Sequence, residues 1–283
     1  MRALDPAVFE AVWTAVAGLL PPRPACTHPL GCHRPRASDR DCFRGIVIRL
    51  VTGCSWETVE QLLDHRVSDT TLRARRDEWI AAGVFDLLVT EAIAAYDRIK
   101  GLDLTETAID GSLHKAPCGG EGTGSNPTDR GKQGWKWSIC TERNGIVIGW
   151  TTIGAHRQDI IVLPDTLAAV AQRGLHHDIE TLHLDRGYDS AGARATCAAL
   201  GLNDVVIARK RKRRPGRNLK RTKLGLGMRW PVERTNSWLS NYGQLRRNTD
   251  RRQHHRDLEL ALAITFIITI KLIEWQKRWS PIR

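Results

Sequence analysis

The chain has 283 residues, enough to bury a sizeable core in one large domain or two smaller ones. Lysine and arginine number 43 against 31 aspartates and glutamates, a formal net charge of +12 that points to a polyanionic partner. The longest apolar run, Leu260 to Ile270, is 11 residues and too short to cross a bilayer. Seven scattered cysteines form no disulfide framework and fit a reduced cytosol. The start, MRALDPAVFEAVW, carries no basic segment ahead of an apolar one, so a cytoplasmic, nucleoid-associated location is expected.

The first hundred residues read as helical. Val8, Phe9, Val12, Trp13, Val16 and Leu19 recur at helical spacing over Pro6 to Leu20. A second helix is expected from about Asp39 to Val51, stopping at Gly53. Ser55 then caps WETVEQLL, and Ser68 caps DTTLRARRDEWIAA, which Gly83 closes. These two helices, joined by the turn DHRV, form a candidate helix-turn-helix with Arg73, Arg75 and Arg76 as candidate DNA contacts. Cys26, His28, Cys32 and His33 are zinc-ligand types, but adjacent Cys32-His33 lacks the two-plus-two spacing of a zinc knuckle.

From Leu104 the pattern changes to strands. TETAIDGS ends in Asp110 and Gly111, while GWKWSICTE and GIVIGWTTI flank Arg143-Asn144-Gly145, a hairpin signal. Helix is expected over Asp159 to Gly174, strand over ETLHLD, helix over SAGARATCAAL and strand over DVVIAR. Helices close the chain, from about Trp230 to Tyr242 and His254 to Trp279. The Gly-rich stretch 116–132 reads as a loop beside the end of the first strand, with Lys132 a candidate DNA contact. Three antiparallel strands followed by alternating helix and strand predict an α/β fold, a mixed five-stranded sheet with flanking helices. The expected division is a helical DNA-binding region, 1–100, and a catalytic domain, 101–283.

Two carboxylates, Asp110 and Asp185, each end a short apolar strand and precede a glycine within two residues. Acids projecting from neighbouring strand ends repel unless a cation lies between them, and an oxygen-only ligand set favours Mg²⁺ or Mn²⁺. Glu233, in the first turn of a later helix beside Arg229 and Arg234, is placed to complete such a site, with the arginines meeting phosphate. Taken singly, such residues are ordinary turn and helix-start acids. Between Arg209 and Lys223 ten of fifteen residues are basic and none acidic, so Arg209, Lys210, Arg211, Lys212, Arg213 and Arg214 are candidate DNA contacts. Trp135, Trp137 and Trp238 read as core.

The stretches IDGS, RGKQGWKW, LDRGYDS and RWPVERTNSWL resemble bacterial insertion-sequence transposases with a DDE triad, of the insertion-sequence-five family in the insertion-sequence-four-like group. IRLVTGCSWETV and the pair Asp39-Arg40 resemble that family's helical N-terminal region. The resemblance implies an RNase H-like catalytic domain in which Asp110, Asp185 and Glu233 hold two Mg²⁺ or Mn²⁺ ions. It also implies a homodimer on double-stranded DNA, binding element ends and target. Arg229, four before the glutamate, fits the family signature. Ser240 stands where a basic residue is expected and Leu226 where a tyrosine is, so Arg246 or Arg247 is the expected substitute for the missing charge. Asp159, with His156, reads as a helix-start acid near the site rather than as a ligand, and Asp189 as a helix cap.

Overall fold

The computed structural model describes residues 2–22, 35–207 and 227–279. Among them the helices are α1 (Pro6–Leu19), α2 (Asp39–Thr52), α3 (Trp56–Leu62), α4 (Asp69–Ala81), α5 (Val84–Lys100), α6 (Leu163–Ala171), α7 (Ala191–Ala199), α8 (Trp230–Leu239), α9 (Gly243–Arg246) and α10 (Gln253–Trp279). The strands are β1 (Glu106–Lys115), β2 (Gly124–Ser125), β3 (Gln133–Thr141), β4 (Val147–Gly154), β5 (Thr181–Leu184) and β6 (Asp204–Ile207). The cysteines and histidines at 26, 28, 32 and 33, and the basic residues Arg209 to Arg214, lie outside the described residues.

Contacts divide the chain into two compact units, Met1–Gly101 with Leu239–Arg283, and Leu102–Trp238. The sequence reading drew one boundary, near residue 100. The structure has a second, at 238/239, because α10 belongs with the helical unit. Its residues Leu258 to Ile268 are buried almost without interruption, so the helix needs neighbours all round, and it finds them in α5 and α1.

In the helical unit, short polar side chains satisfy the first free N–H groups of four helices. Asp5 accepts from Ala7, Ser38 from Asp41, Ser55 from Thr58 and Ser68 from Thr71. α2 ends at Gly53 in the left-handed region, φ 72°. A side chain there would meet the backbone of Gly243 at 2.9 Å, and one on Gly243 would meet the Thr52 carbonyl at 2.4 Å. Glycine on both sides is what lets the end of α2 touch the start of α9. No single described helix is long and apolar enough to cross a membrane.

The second unit is a mixed sheet. β3 pairs antiparallel with β1 and β4, β5 runs parallel to β1, and β6 runs parallel to β5. With β2 set aside the order is β4-β3-β1-β5-β6, the RNase H-like arrangement. β2 pairs with Gln133 and Gly134, inside the segment read from sequence as a loop. One face of the sheet packs Ile109, Cys140, Ile148 and Leu182 against Leu163, Leu167 and Val170 of α6 and Cys197 of α7. Gly149 admits α6 closely, since a Cβ there would lie 2.4 Å from Val170 Cγ2.

Candidate active site

Asp110 does not end β1. The strand runs on to Lys115 because Ser112 and His114 still pair with Trp137 and Trp135 of β3. On its other side β1 is paired with β5 only through Ala108, opposite His183. Beyond that register β5 stops at Leu184, and Asp185 follows at its end. The fold thus opens a gap beside Asp110. Asp185 caps a short 3-10 turn over Arg186–Tyr188, its Oδ1 accepting from Gly187 N at 2.5 Å. Glu233 sits in the first turn of α8.

Arg229 links the acids. Its Nη2 lies 3.0 Å from Glu233 Oε1 and 3.7 Å from Asp110 Oδ1. Asp110 Oδ2 accepts from Asn236 Nδ2 at 3.1 Å, and Asn236 Oδ1 accepts from the indole N–H of Trp137 at 2.8 Å. An indole nitrogen only donates, so the Asn236 oxygen must face Trp137 and its NH₂ must face Asp110. Burial pushes the Asp110 carboxyl up to about 6; Arg229 opposes the shift, and the charges of Glu233 and Asp185 add to it. Asp185 therefore lies within electrostatic reach of Asp110.

Asp159 lies beside Gly111, whose absent side chain would fall 2.4 Å from its Oδ1. The same oxygen takes Lys136 Nζ at 2.9 Å, and Lys136 is itself buried. Tyr188 is buried nearby, and burial, then the charges of Asp159, Asp110 and Asp185, push its phenol far up. Asn236, Lys136 and Tyr188 escaped the sequence reading. Asn236 had one visible signal, its place one turn after Glu233.

α8 is seated on the β3–β4 hairpin. Gly145 there has φ 85°, whereas Asn144 keeps a negative φ. The Arg143-Asn144-Gly145 turn is therefore a three-residue loop ending in a left-handed glycine. Its carbonyls accept from α8, Asn144 O from Arg234 Nη2 and Gly145 O from Thr235 Oγ1, both at 2.6 Å. The Arg234 guanidinium also stacks between Trp230 and Trp238, at 4.3 and 4.6 Å. Arg234 is committed to holding α8.

The three arginines of α4 read from sequence as candidate DNA contacts lie in different surroundings. Arg75 and Arg76 are each 5% exposed, on the inner face of α4 with Leu72 and Trp79. Arg75 is paired with Asp39 and Glu78, and Arg76 with Asp77 and Asp250. Both are buried and neutralised, so neither is presented at the surface of this unit. Arg73 is 42% exposed but paired with Asp69 and Glu57. Lys132, Arg246 and Arg247 are exposed.

Three mutually repelling carboxylates in a partly dry pocket call for a cation, and the Arg229 guanidinium stands between two of them. Among the described residues no three His, Cys, Asp or Glu side chains are drawn close enough to hold an ion. The donor set is nonetheless all oxygen, the ligand type that hard divalent cations take.

An RNase H-like sheet with one acid midway along its central strand and another just past the end of the neighbouring parallel strand defines a class of DNA- and RNA-processing proteins. Residues 102–268 match the "Transposase DDE domain" family and residues 8–89 match "Putative transposase of IS4/5 family". The chain belongs to the transposase DDE domain family. It is 35% identical over 138 residues to "Putative transposase for insertion sequence element IS402" of Burkholderia cepacia, covering 46% of this chain and 60% of that one. It is 30% identical over 122 residues to "Insertion element IS402 uncharacterized 16.2 kDa protein" of the same organism, covering 43% of this chain and 82% of that one. The chain thus spans less than two thirds of the first relative's length. A pre-cleavage Mos1 transpososome is similar at 10% identity and TM-score 0.27, over 64% of this chain and 61% of that one. That likeness is too distant to bear on the site.

Proposed function

We propose that this chain is a DNA transposase that binds the terminal inverted repeats of an insertion sequence, cuts a DNA strand in a Mg²⁺- or Mn²⁺-dependent reaction, and joins the freed 3′-OH to target DNA. The observation that carries it is the convergence of Asp110 and Glu233 on Arg229, with Asp185 in electrostatic reach, in a chain of this family. The catalytic unit is Leu102–Trp238, and the helical unit and the basic segment 209–214 serve DNA binding. Two copies act together on DNA, since two ends must be joined.

Asp110, Asp185 and Glu233 would hold the metal, two ions per site, which supplies charge neutralisation for the attacking and departing oxygens. Asn236 keeps one oxygen of Asp110 occupied and so fixes which one faces the substrate. Arg229 has a buried Nε without a partner among the described residues, a spare donor for a phosphate oxygen once Nη2 turns from the acids. Hydrolysis by water and attack by the 3′-OH are both in-line phosphoryl transfers, so one set of residues serves both.

The test is divalent-cation-dependent cleavage and joining of labelled DNA bearing the gene's own flanks, with wild type beside Asp185→Asn. Wild type should cut and join, and the variant should bind without doing either. Cutting without joining would reduce the reading to a nuclease. Binding by both proteins with no cutting by either would overturn the enzyme altogether.

A further inference from the structure

We infer that the segment Arg246–Arg252, RRNTDRR, is a preformed clamp for a phosphodiester backbone; this rests on the DNA role proposed above. Four guanidinium groups within seven residues repel one another, and a free loop would let them spread into water. Arg246, Arg247, Arg251 and Arg252 are all exposed, and none is paired among the described residues. The residues between them are the opposite. Asn248 is fully buried and Asp250 is 9% exposed.

That interior is pinned from several helices. Asn248 Nδ2 donates to Glu259 Oε2 of α10 at 2.5 Å, and its Oδ1 accepts from Asp250 N at 2.9 Å. The Asp250 carboxylate takes Arg76 of α4 and Arg49 of α2, each at 3.1 Å, and Gln244 Nε2 at 3.0 Å. Its carbonyl accepts from Arg256 Nη1 at 2.7 Å, and Thr249 Oγ1 accepts from Arg49 Nη2 at 3.1 Å. Arg49 and Arg76 in turn lie over the Trp56 ring, at 4.7 and 5.2 Å. Asp77, the exposed acid tied to this cluster, is taken up by Arg76 and His255. The segment's near end is held where Gly243 meets Gly53.

A buried ionic network contributes little net stability over an apolar core of the same size. What this one fixes is the backbone path, which turns two pairs of arginines outward on either side of a rigid centre. Guanidinium forks match phosphate oxygens, and a preformed array loses little entropy on binding. No aromatic or amide side chain is exposed among the seven residues; arginine can also read guanine edges, so the assignment to the backbone is tested by comparing two unrelated sequences. The burial of Arg76, which removes it from the surface of this unit, becomes part of the clamp's support.

The experiment is binding of full-length protein to two labelled duplexes, one with the gene's flanks and one scrambled, over a range of salt. Wild type is compared with a variant carrying Arg246→Ala, Arg247→Ala, Arg251→Ala and Arg252→Ala, and with the same four changed to Lys. Each lost phosphate contact should flatten the plot of log affinity against log salt by about 0.9, up to about 3.6 for four. The change should be equal on both duplexes, and lysine should restore most of it. Should the alanine variant melt early, Arg251→Ala with Arg252→Ala carries the test at half the change. A folded variant with the wild-type slope overturns the clamp alone, as does an effect confined to the flank duplex. Failure of wild type to bind either duplex overturns the DNA reading and the clamp with it.

Discussion

Asp110 shows how a single residue can work against the fold that holds it. Its carboxyl is raised from 3.8 to about 6, first by burial and then by the neighbouring acids. The folded state therefore holds this proton more tightly than the unfolded state. Stability is lost as pH rises from 3.8 through 6, and the cost is complete above that. A shift of this size corresponds to about 3 kcal/mol. Asp110→Asn should thus melt several degrees above wild type at about pH 8 without divalent cation, and at nearly the same temperature at about pH 4. Added Mg²⁺ should raise the melting temperature of wild type and not of the variant. A variant that melts lower at high pH would show that Asp110's bonds to Asn236 and Arg229 outweigh its desolvation. Asn236 makes a different prediction, because it acts through Asp110. Asn236→Ala should keep its fold, lose about 10- to 100-fold in strand cleavage and need more Mg²⁺ for half-maximal rate. Trp137→Phe, which removes the donor that orients the amide, should move both quantities in the same direction by less. An unchanged Mg²⁺ requirement in Asn236→Ala would reduce Asn236 to a packing residue.

At the scale of elements, the hairpin and α8 form one device. Both were legible separately: Asn144-Gly145 marks a turn, and RWPVERTNSWL marks a helix start. Their contact was not, since periodicity says which face of an element is apolar but not which turn will receive a neighbour's hydroxyl. Gly145 is needed twice, for its φ of 85° and because a Cβ would sit 2.8 Å from Thr235 Oγ1 and 3.0 Å from Arg234 Nη2. Gly145→Ala should cost about 1–2 kcal/mol from backbone conformation alone, with a further penalty from the contacts. It should also lower cleavage, because the displaced helix carries Glu233. Gly18→Ala is the control. That residue lies in α1 with nothing within 4 Å of its Cβ position, and the change should be neutral or stabilise by about 0.5–1 kcal/mol. Thermal melts of the two variants, read beside a cleavage assay, separate the effects. The same limit applies to the arginines of α4. The run Arg73-Ala74-Arg75-Arg76 looks solvated in sequence, but Leu72 and Trp79 turn two of its three arginines inward, where acids from α2 and the 248–250 segment meet them.

For the whole molecule, chain order and spatial order part at residue 238. The strands of the mixed sheet, β2 apart, could be read one by one because each carries its own apolar pattern, but the parallel pairing of β1 with β5, far along the chain, could not. α10 could be read as a buried helix but not assigned to a unit, because its apolar surface fits any core and only the partner surfaces of α5 and α1 decide. Seven large apolar side chains of α10 are buried, Leu258, Leu260, Leu262, Ile264, Phe266, Ile267 and Ile268. At about 1.5–3 kcal/mol each they contribute on the order of 10–20 kcal/mol. That matches or exceeds the whole net stability of an ordinary domain, about 5–15 kcal/mol. A chain ended at Arg252 should therefore fail to form the helical unit although residues 1–101 remain, while the sheet unit, complete within Leu102–Trp238, keeps its fold. Hydrogen exchange read by mass spectrometry can separate the two. Amides of α1, α2 and α5 should exchange at the rate of an unfolded chain, and those of β1, β3 and β4 should stay protected. Loss of protection across both units would mean that the sheet depends on the helical unit for its stability. Persistence of protection in α1 and α5 would mean that the first hundred residues fold alone, and the closing helix would then be an addition to that unit instead of its core.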